Sequence, residues 1–310
     1  MRLINVDTLR LEEFVGDVGR GGIPPYAILS HTWGEEEVSF KDLSAEDVQA
    51  AHAMKGYSKI VGCCLLAASE GLRYAWIDTC CIDKSSSAEL SEAINSMFRW
   101  YRDSVVCFAY LSDVRDRDPG EKGCSNHFAN SRWFTRGWTL QELLAPVEVV
   151  FLNQDWQEIG TKRTLSKAIS EITKISEKAL SDAEWDGYSV AQKISWAAGR
   201  QTTRQEDEAY CLMGLFNVNM PLLYGEGGRG SMRLQEEIMK RYDDQSIFAW
   251  SKGAHEQSHV QLSGLLAPSP HLFEHSSSIE TLEDITPRVI QDQSEGNYMT
   301  PFEVPFEVVH

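Results

Sequence analysis

Within SRWFTRGWTLQELLAP, residues 131–146, a tryptophan, Trp138, stands four residues before an acid, Glu142. On a helix that spacing puts an aromatic plate and a carboxyl on one face. Leu140, Leu143 and Leu144 make the surroundings of the acid apolar, and a carboxyl is expensive to dry out there unless it is paired or used. Glu142 is therefore read in two ways: as a catalytic group, or as the structural partner of His31, Arg132 or Arg136. A second set of polar groups lies in YAILSHTWG (residues 26–34) and YAWID (residues 74–78). Ser30, His31 and Gly34 can offer hydroxyl, imidazole and backbone donors to a ligand, and Trp33 or Trp138 can stack on a ring. Asp78 either touches a ligand or caps a loop, and His31 can equally be a hydrogen-bonded structural residue. Trp76, Trp100 and Trp133 read as core, the default that also stands against a ligand role for Trp33 and Trp138. Cys80 or Cys81 with His31 would make a nucleophilic pair, although no activating environment is visible in the sequence.

These residues need elements to position them. YAILS, YAWID, VVCFAYL (residues 105–111) and VEVVFL (residues 147–152) read as buried strands. Residues 58–70 read as a helix stopped by Gly71. Ser86 and Glu89 form the S-x-x-E pattern of a capping box, which opens a long helix. Residues 112–130 are polar with Pro119-Gly120 and read as a surface loop; Ser131 is then placed to cap the Glu142 helix, which Pro146 ends. Gly137 inside that helix implies a close approach of something to its backbone. Strands alternating with helices predict an α/β fold, a parallel sheet flanked by helices, with ligands outside the carboxyl ends of the strands. Ser30, His31 and Asp78 sit at those ends.

Beyond about residue 160 helical periodicity takes over, in residues 189–198, 206–216 and 231–242. From residue 257 short apolar pieces suggest a loosely organised β region. The expected organisation is a core over residues 1–160, a helical extension over 161–250, and a mixed, β-containing segment over 251–310 that could open a further module. Arg200, Arg204, Glu206 and Asp207 read as a salt-linked helix start, with contact to the core as a secondary idea. GEGGRG, residues 225–230, matches G-x-G-x-x-G but has no proper leading strand, so it reads as a turn whose glycines take positive φ.

The formal charge of −17 over 310 residues argues against nucleic acid or an anionic membrane as the main partner. The N-terminus carries acids within its apolar run, unlike a signal peptide, and no apolar stretch is long enough to span a bilayer. A cytoplasmic location is expected. Seven cysteines without a C-x-x-C pair point to reduced, buried thiols and no metal site.

Taken together, YAILSHTWG, WIDTCCIDKSSSAELSEAINSMFRWYRD, SRWFTRGWTLQELLAP and RQTTRQEDEAYCLMGLFNVNMPLLYGEG resemble the fungal heterokaryon-incompatibility (HET) domain from Tyr26 to Tyr242. The resemblance implies a role in fungal non-self recognition and programmed cell death. The core is also similar to TIR domains, which have a flavodoxin-like parallel sheet: YAILSHTWGEE resembles their first strand and loop, and SRWFTRGWTLQEL resembles their S-x-W-C-x-x-E-L helix. That likeness implies hydrolysis of the nicotinamide–ribose bond of NAD, with Glu142 in the catalytic position; the strand-end residues Ser30, His31, Trp33, Gly34 and Asp78, with Trp138, are then the candidate binding residues. NAD would be substrate, with no prosthetic group, and self-association is implied. A non-catalytic module that triggers death by assembly, and an enzyme of another class on the same scaffold, remain as alternatives.

Overall fold

The computed structural model describes residues 1–16, 18, 22–45, 49–115, 126–182, 185, 187–251 and 264–280. Seven strands form one mixed sheet: β1 (Arg2–Asn5), β2 (Leu11–Glu13), β3 (Ala27–His31), β4 (Tyr74–Trp76), β5 (Val106–Tyr110), β6 (Val149–Leu152) and β7 (Glu158–Thr161), in the order β2-β1-β4-β3-β5-β6-β7. The four central strands are the ones their apolar runs predict. They are parallel to one another, and β3 lies between β4 and β5. Numbered among themselves their order is 2-1-3-4, the doubly wound arrangement of flavodoxin-like sheets. β1, β2 and β7 add antiparallel flanks that the sequence reading lacks. Strands of three or four residues with charged or glycine positions carry too little pattern to stand out.

The helices are α1 (Phe40–Ser44), α2 (Gln49–His52), α3 (Tyr57–Ser69), α4 (Ser87–Arg102), α5 (Asn126–Ala129), α6 (Thr139–Leu144), α7 (Ser166–Thr173), α8 (Glu177–Ser181), α9 (Val190–Ala198), α10 (Asp207–Tyr210) and α11 (Arg229–Met239). The expected capping box of α4 is half formed. The Ser86 hydroxyl accepts from the Glu89 N–H, but the Glu89 carboxylate turns to Arg2 and the Asp83 N–H instead. That diversion ties the long helix to β1. In the expected 112–130 loop, residues 116–125 lie outside the described residues, and α5 follows with Phe128 buried. Of the β region expected from residue 257, residues 264–280 are described, and they hold a 3-10 turn, Pro270–Phe273, with no strand among them. Among the described residues no helix is long and apolar enough to cross a membrane.

The interior beside the sheet is aromatic. Trp76 packs edge-on against Trp100 and Tyr101, and Trp133 packs against Phe134 and Phe151. Tyr26 and Tyr101 turn their hydroxyls to backbone carbonyls of Trp100 and Leu29, which satisfies their polar ends in the core. Six cysteines are free and buried, as expected; the seventh, Cys124, lies outside the described residues.

Lys162 fixes the end of α6. It is buried, and its ammonium donates to the carbonyls of Leu143 (3.2 Å) and Pro146 (2.5 Å), with Leu144 at 3.5 Å. A cation at a helix C-terminus satisfies carbonyls that the helix itself leaves open. Burial pulls its pKa down to about 8. Lys162→Met should therefore lower stability at pH 6 by about 1–3 kcal/mol, the cost of leaving buried acceptors unpaired. The expected signature is a lower urea midpoint at unchanged slope.

Candidate functional site

β3 leads to β4 on one side and has β5 on the other, so the switch point of the sheet lies outside the carboxyl ends of β3 and β5. Ser30 and His31 end β3, and Asp78 follows β4. Glu142 arrives on α6 and contacts the same strand end: the Ser30 hydroxyl donates to Glu142 Oε2 at 2.5 Å. That hydroxyl also accepts from the Trp133 indole N–H at 2.7 Å. The result is a polar relay, Trp133 to Ser30 to Glu142, in an otherwise apolar interior. Glu142 is 7% exposed. Burial pushes its carboxyl up, the Ser30 hydrogen bond pulls the other way, the Asp78 charge pushes up again, and the net value is about 8. Glu142 is therefore mostly protonated at pH 7. Its hydrogen bond goes to Ser30, with the Tyr101 hydroxyl also acting on it; of the His31, Arg132 and Arg136 side chains expected, Arg136 acts through its charge.

A second layer lies outside this relay. Asp78 Oδ1 meets His31 Nε2 at 3.1 Å, and its Oδ2 accepts from the Trp33 indole at 2.9 Å. Burial opposes the Asp78 charge, but Lys84 and His31 outweigh it and hold the carboxyl at about 2. Trp33 is 45% exposed, so it departs from the core default, and the Lys84 ammonium lies 3.7 Å from its ring centroid. The ring nitrogen His31 Nδ1 is buried without a hydrogen-bond partner. Gly34 donates its N–H to Glu37 at 2.6 Å. Asp113, after β5, accepts from the Ser131 hydroxyl and the Arg132 N–H, while Arg132 Nη2 donates to the Thr32 hydroxyl at 3.2 Å.

The segment before Glu142 folds in two pieces, not one. Ser131 caps a 3-10 turn, Arg132–Thr135, and α6 begins after Trp138. Trp138 keeps helical dihedrals, but its indole hydrogen-bonds Asp207 of α10. The aromatic plate thus serves the helical extension while the acid serves β3. Gly137 lies between the two pieces. Its N–H donates to the Gln201 carbonyl at 2.8 Å, and a Cβ there would come within 2.5 Å of Thr202 Cγ2. The close approach implied by this glycine is the chain after α9. Arg200 reaches the core as well, donating to the Arg136 carbonyl and the Thr139 hydroxyl, both at 3.0 Å. The salt-linked helix start is replaced by other partners: Glu206 accepts the N–H groups of Gly225 and Gly227 (2.7 and 2.9 Å), and Asp207 takes Tyr224 and Trp138. Gly225 and Gly227 have positive φ, so GEGGRG is the expected turn, and its amides are filled by a carboxylate.

Cys80 and Cys81 are buried against the Ile77 backbone, and a hydrogen bond with Cys81 together with burial pushes the Cys80 thiol well up. His31 faces Asp78, so the nucleophilic pair gains no support. Sequence reasoning passed over Lys84, Arg132 as a contact of Thr32, and the Trp133–Ser30–Glu142 relay. Pairing across 103 and 112 residues leaves no local pattern to find.

A model of the heterokaryon incompatibility protein family (HET) matches residues 26–125, and a model of a domain of unknown function (DUF8212) matches residues 230–301. The chain is 48% identical over 247 residues to vegetative incompatibility protein HET-E-1 of Podospora anserina, which covers 77% of this chain and 18% of that protein. The chain thus spans less than a fifth of the length of the curated relative it matches. No solved structure matches it.

The raised carboxyl gives a stability signature. The folded state keeps a proton on Glu142 up to about pH 8, whereas an unfolded glutamate loses it near 4.3. Stability from this group is complete below the unfolded value and is lost as pH rises through the folded one. Glu142→Gln should therefore gain on the wild type by about 2–4 kcal/mol between pH 5 and pH 8. Paired urea titrations at the two pH values measure that difference; a constant gap would show that the carboxyl is not held protonated.

Proposed function

The chain carries a heterokaryon-incompatibility domain, and from that premise we propose that it acts in non-self recognition as a trigger of cell death by cleaving the nicotinamide–ribose bond of NAD. The observation that carries this reading is Glu142 bound to Ser30 at the switch point of a flavodoxin-ordered sheet, with its pKa pushed up to about 8. Strongly perturbed acids at such a point are site candidates.

The chemistry follows from charge. Nicotinamide attached to ribose is cationic. A positive ring brought beside Glu142 favours the carboxylate and drives off its proton. As the C–N bond breaks, its electron pair leaves with neutral nicotinamide and positive charge develops on the ribose, which the new carboxylate stabilises. Water then adds to the ribose and loses a proton. The buried, neutral carboxyl of the free chain is thus a resting form, and cleavage requires the site to open, which self-association would supply.

A second reading, a non-catalytic assembly module, is favoured by the burial of Glu142 and its hydrogen bond to Ser30. One experiment separates them. The chain at high concentration is incubated with NAD and nicotinamide release is followed, with Glu142→Gln in parallel. A loss of at least about 100-fold in the variant is expected for a group that acts in the transition state. Equal release by both proteins removes Glu142 from the mechanism. Cell death caused by Glu142→Gln at wild-type strength would favour the assembly module.

A further inference from the structure

We propose that Lys84 and Arg132 bind the diphosphate of a nucleotide whose ring system stacks on Trp33. The proposal deepens the nucleotide-site reading and rests on it for the identity of the ligand as a dinucleotide.

The donors that the sequence offers for phosphate are already taken. Ser30 gives its hydroxyl to Glu142, and the Gly34 N–H goes to Glu37. Lys59 is also engaged, pairing with Glu37 and donating to the Thr32 carbonyl at 3.1 Å. What faces outward at the end of β3 is different. Arg132 arrives from the 3-10 turn after β5 and bonds the Thr32 hydroxyl, its side chain 62% exposed. Lys84 arrives from the loop before α4 and lies over the Trp33 ring. Two cations from separate segments therefore meet two consecutive residues at the switch point of a chain whose net charge is −17.

Each cation has an acid beside it, Asp78 and Glu37 by Lys84 and Asp113 by Arg132, with which a diphosphate must compete. Asp113 is occupied by Ser131 and the Arg132 backbone, and lies 4.0 Å from Arg132 Nε. Asp78 bonds His31 and Trp33, and its charge also supports the Lys84 ammonium. Asp78 moreover fixes the edge of the Trp33 indole, which leaves the ring's faces for stacking. The Lys84 ammonium on the ring is a weak cation–π contact at a solvent-exposed site. A base that takes its place frees a flexible ammonium for phosphate, where charge-assisted hydrogen bonds are stronger. Arg132 supplies the planar fork that suits phosphate oxygens.

The test uses the full chain carrying Glu142→Gln, titrated calorimetrically with ADP at low salt. Lys84→Gln and Arg132→Gln are each expected to weaken ADP about 10-fold or more. Lys84→Arg and Arg132→Lys should retain most of the affinity, and adenosine should bind far more weakly than ADP. Trp33→Leu should weaken ADP and adenosine alike. Thermal melting of each variant checks that it is folded. ADP affinity unchanged in both glutamine variants, adenosine as tight as ADP, or no ADP binding at all overturns the proposal. The two readings fail separately. NAD cleavage with a KM indifferent to Lys84→Gln and Arg132→Gln would leave the hydrolase and remove this site. ADP binding that depends on both cations, without NAD cleavage, would leave the site and remove the hydrolase.

Discussion

One hydroxyl organises the carboxyl end of the sheet. Ser30 accepts from Trp133 and donates to Glu142, so β3, the 3-10 turn and α6 meet at a single oxygen. Each partner needs it for a different reason. The Trp133 ring is wholly buried among Phe134 and Phe151, and its N–H would otherwise go without an acceptor. For Glu142 the Ser30 hydroxyl is a neutral partner, beside the Tyr101 hydroxyl, in an interior where an unpaired carboxyl is costly. The hydroxyl partners of Glu142 and the charge of Arg136 pull its pKa down less than burial and Asp78 push it up, so the acid keeps its proton to about pH 8. An arginine in the place of Ser30 would have reversed that outcome.

The helix that carries Glu142 is held from both ends by residues outside it. Lys162 collects the carbonyls at its C-terminus. At its start, Arg200 donates to Thr139 and to the Arg136 carbonyl. Arg200 is itself buried, which pulls its pKa down to about 10. Six residues form a weak helix alone. These contacts from the sheet edge and the helical extension make α6 a fixed support.

The central strands and the longer helices were legible because burial on both faces writes continuous apolar runs, and one-sided burial writes a helical period. YAILS, VVCFAYL and the Ser86-capped helix are of that kind. The flanking strands were not legible, since RLIN and LEE are defined by pairing with β4 and with each other. The candidate site was legible as a set of polar residues at strand ends, which topology brings together. Its partners were not. Nothing local links Trp133 to Ser30, and the four-residue spacing of Trp138 and Glu142 suggested a shared task where the side chains go to Asp207 and Ser30. Helical spacing fixes direction, but the neighbours decide what each side chain does.

The helical extension bears on the site for the same reason. The HET family match ends at residue 125, before the 3-10 turn and α6, yet Gly137 is built for the chain that follows α9. Its missing side chain lets Thr202 approach, its N–H bonds Gln201, and Gln201 in turn donates to the Thr135 carbonyl at 2.6 Å. Trp138 and Asp207 add a second tie beside it. A displacement of the α9–α10 segment would therefore be felt at both ends of residues 136–139, the start of the helix that presents Glu142. The extension thus meets the core at the start of the helix that buries the Glu142 carboxyl.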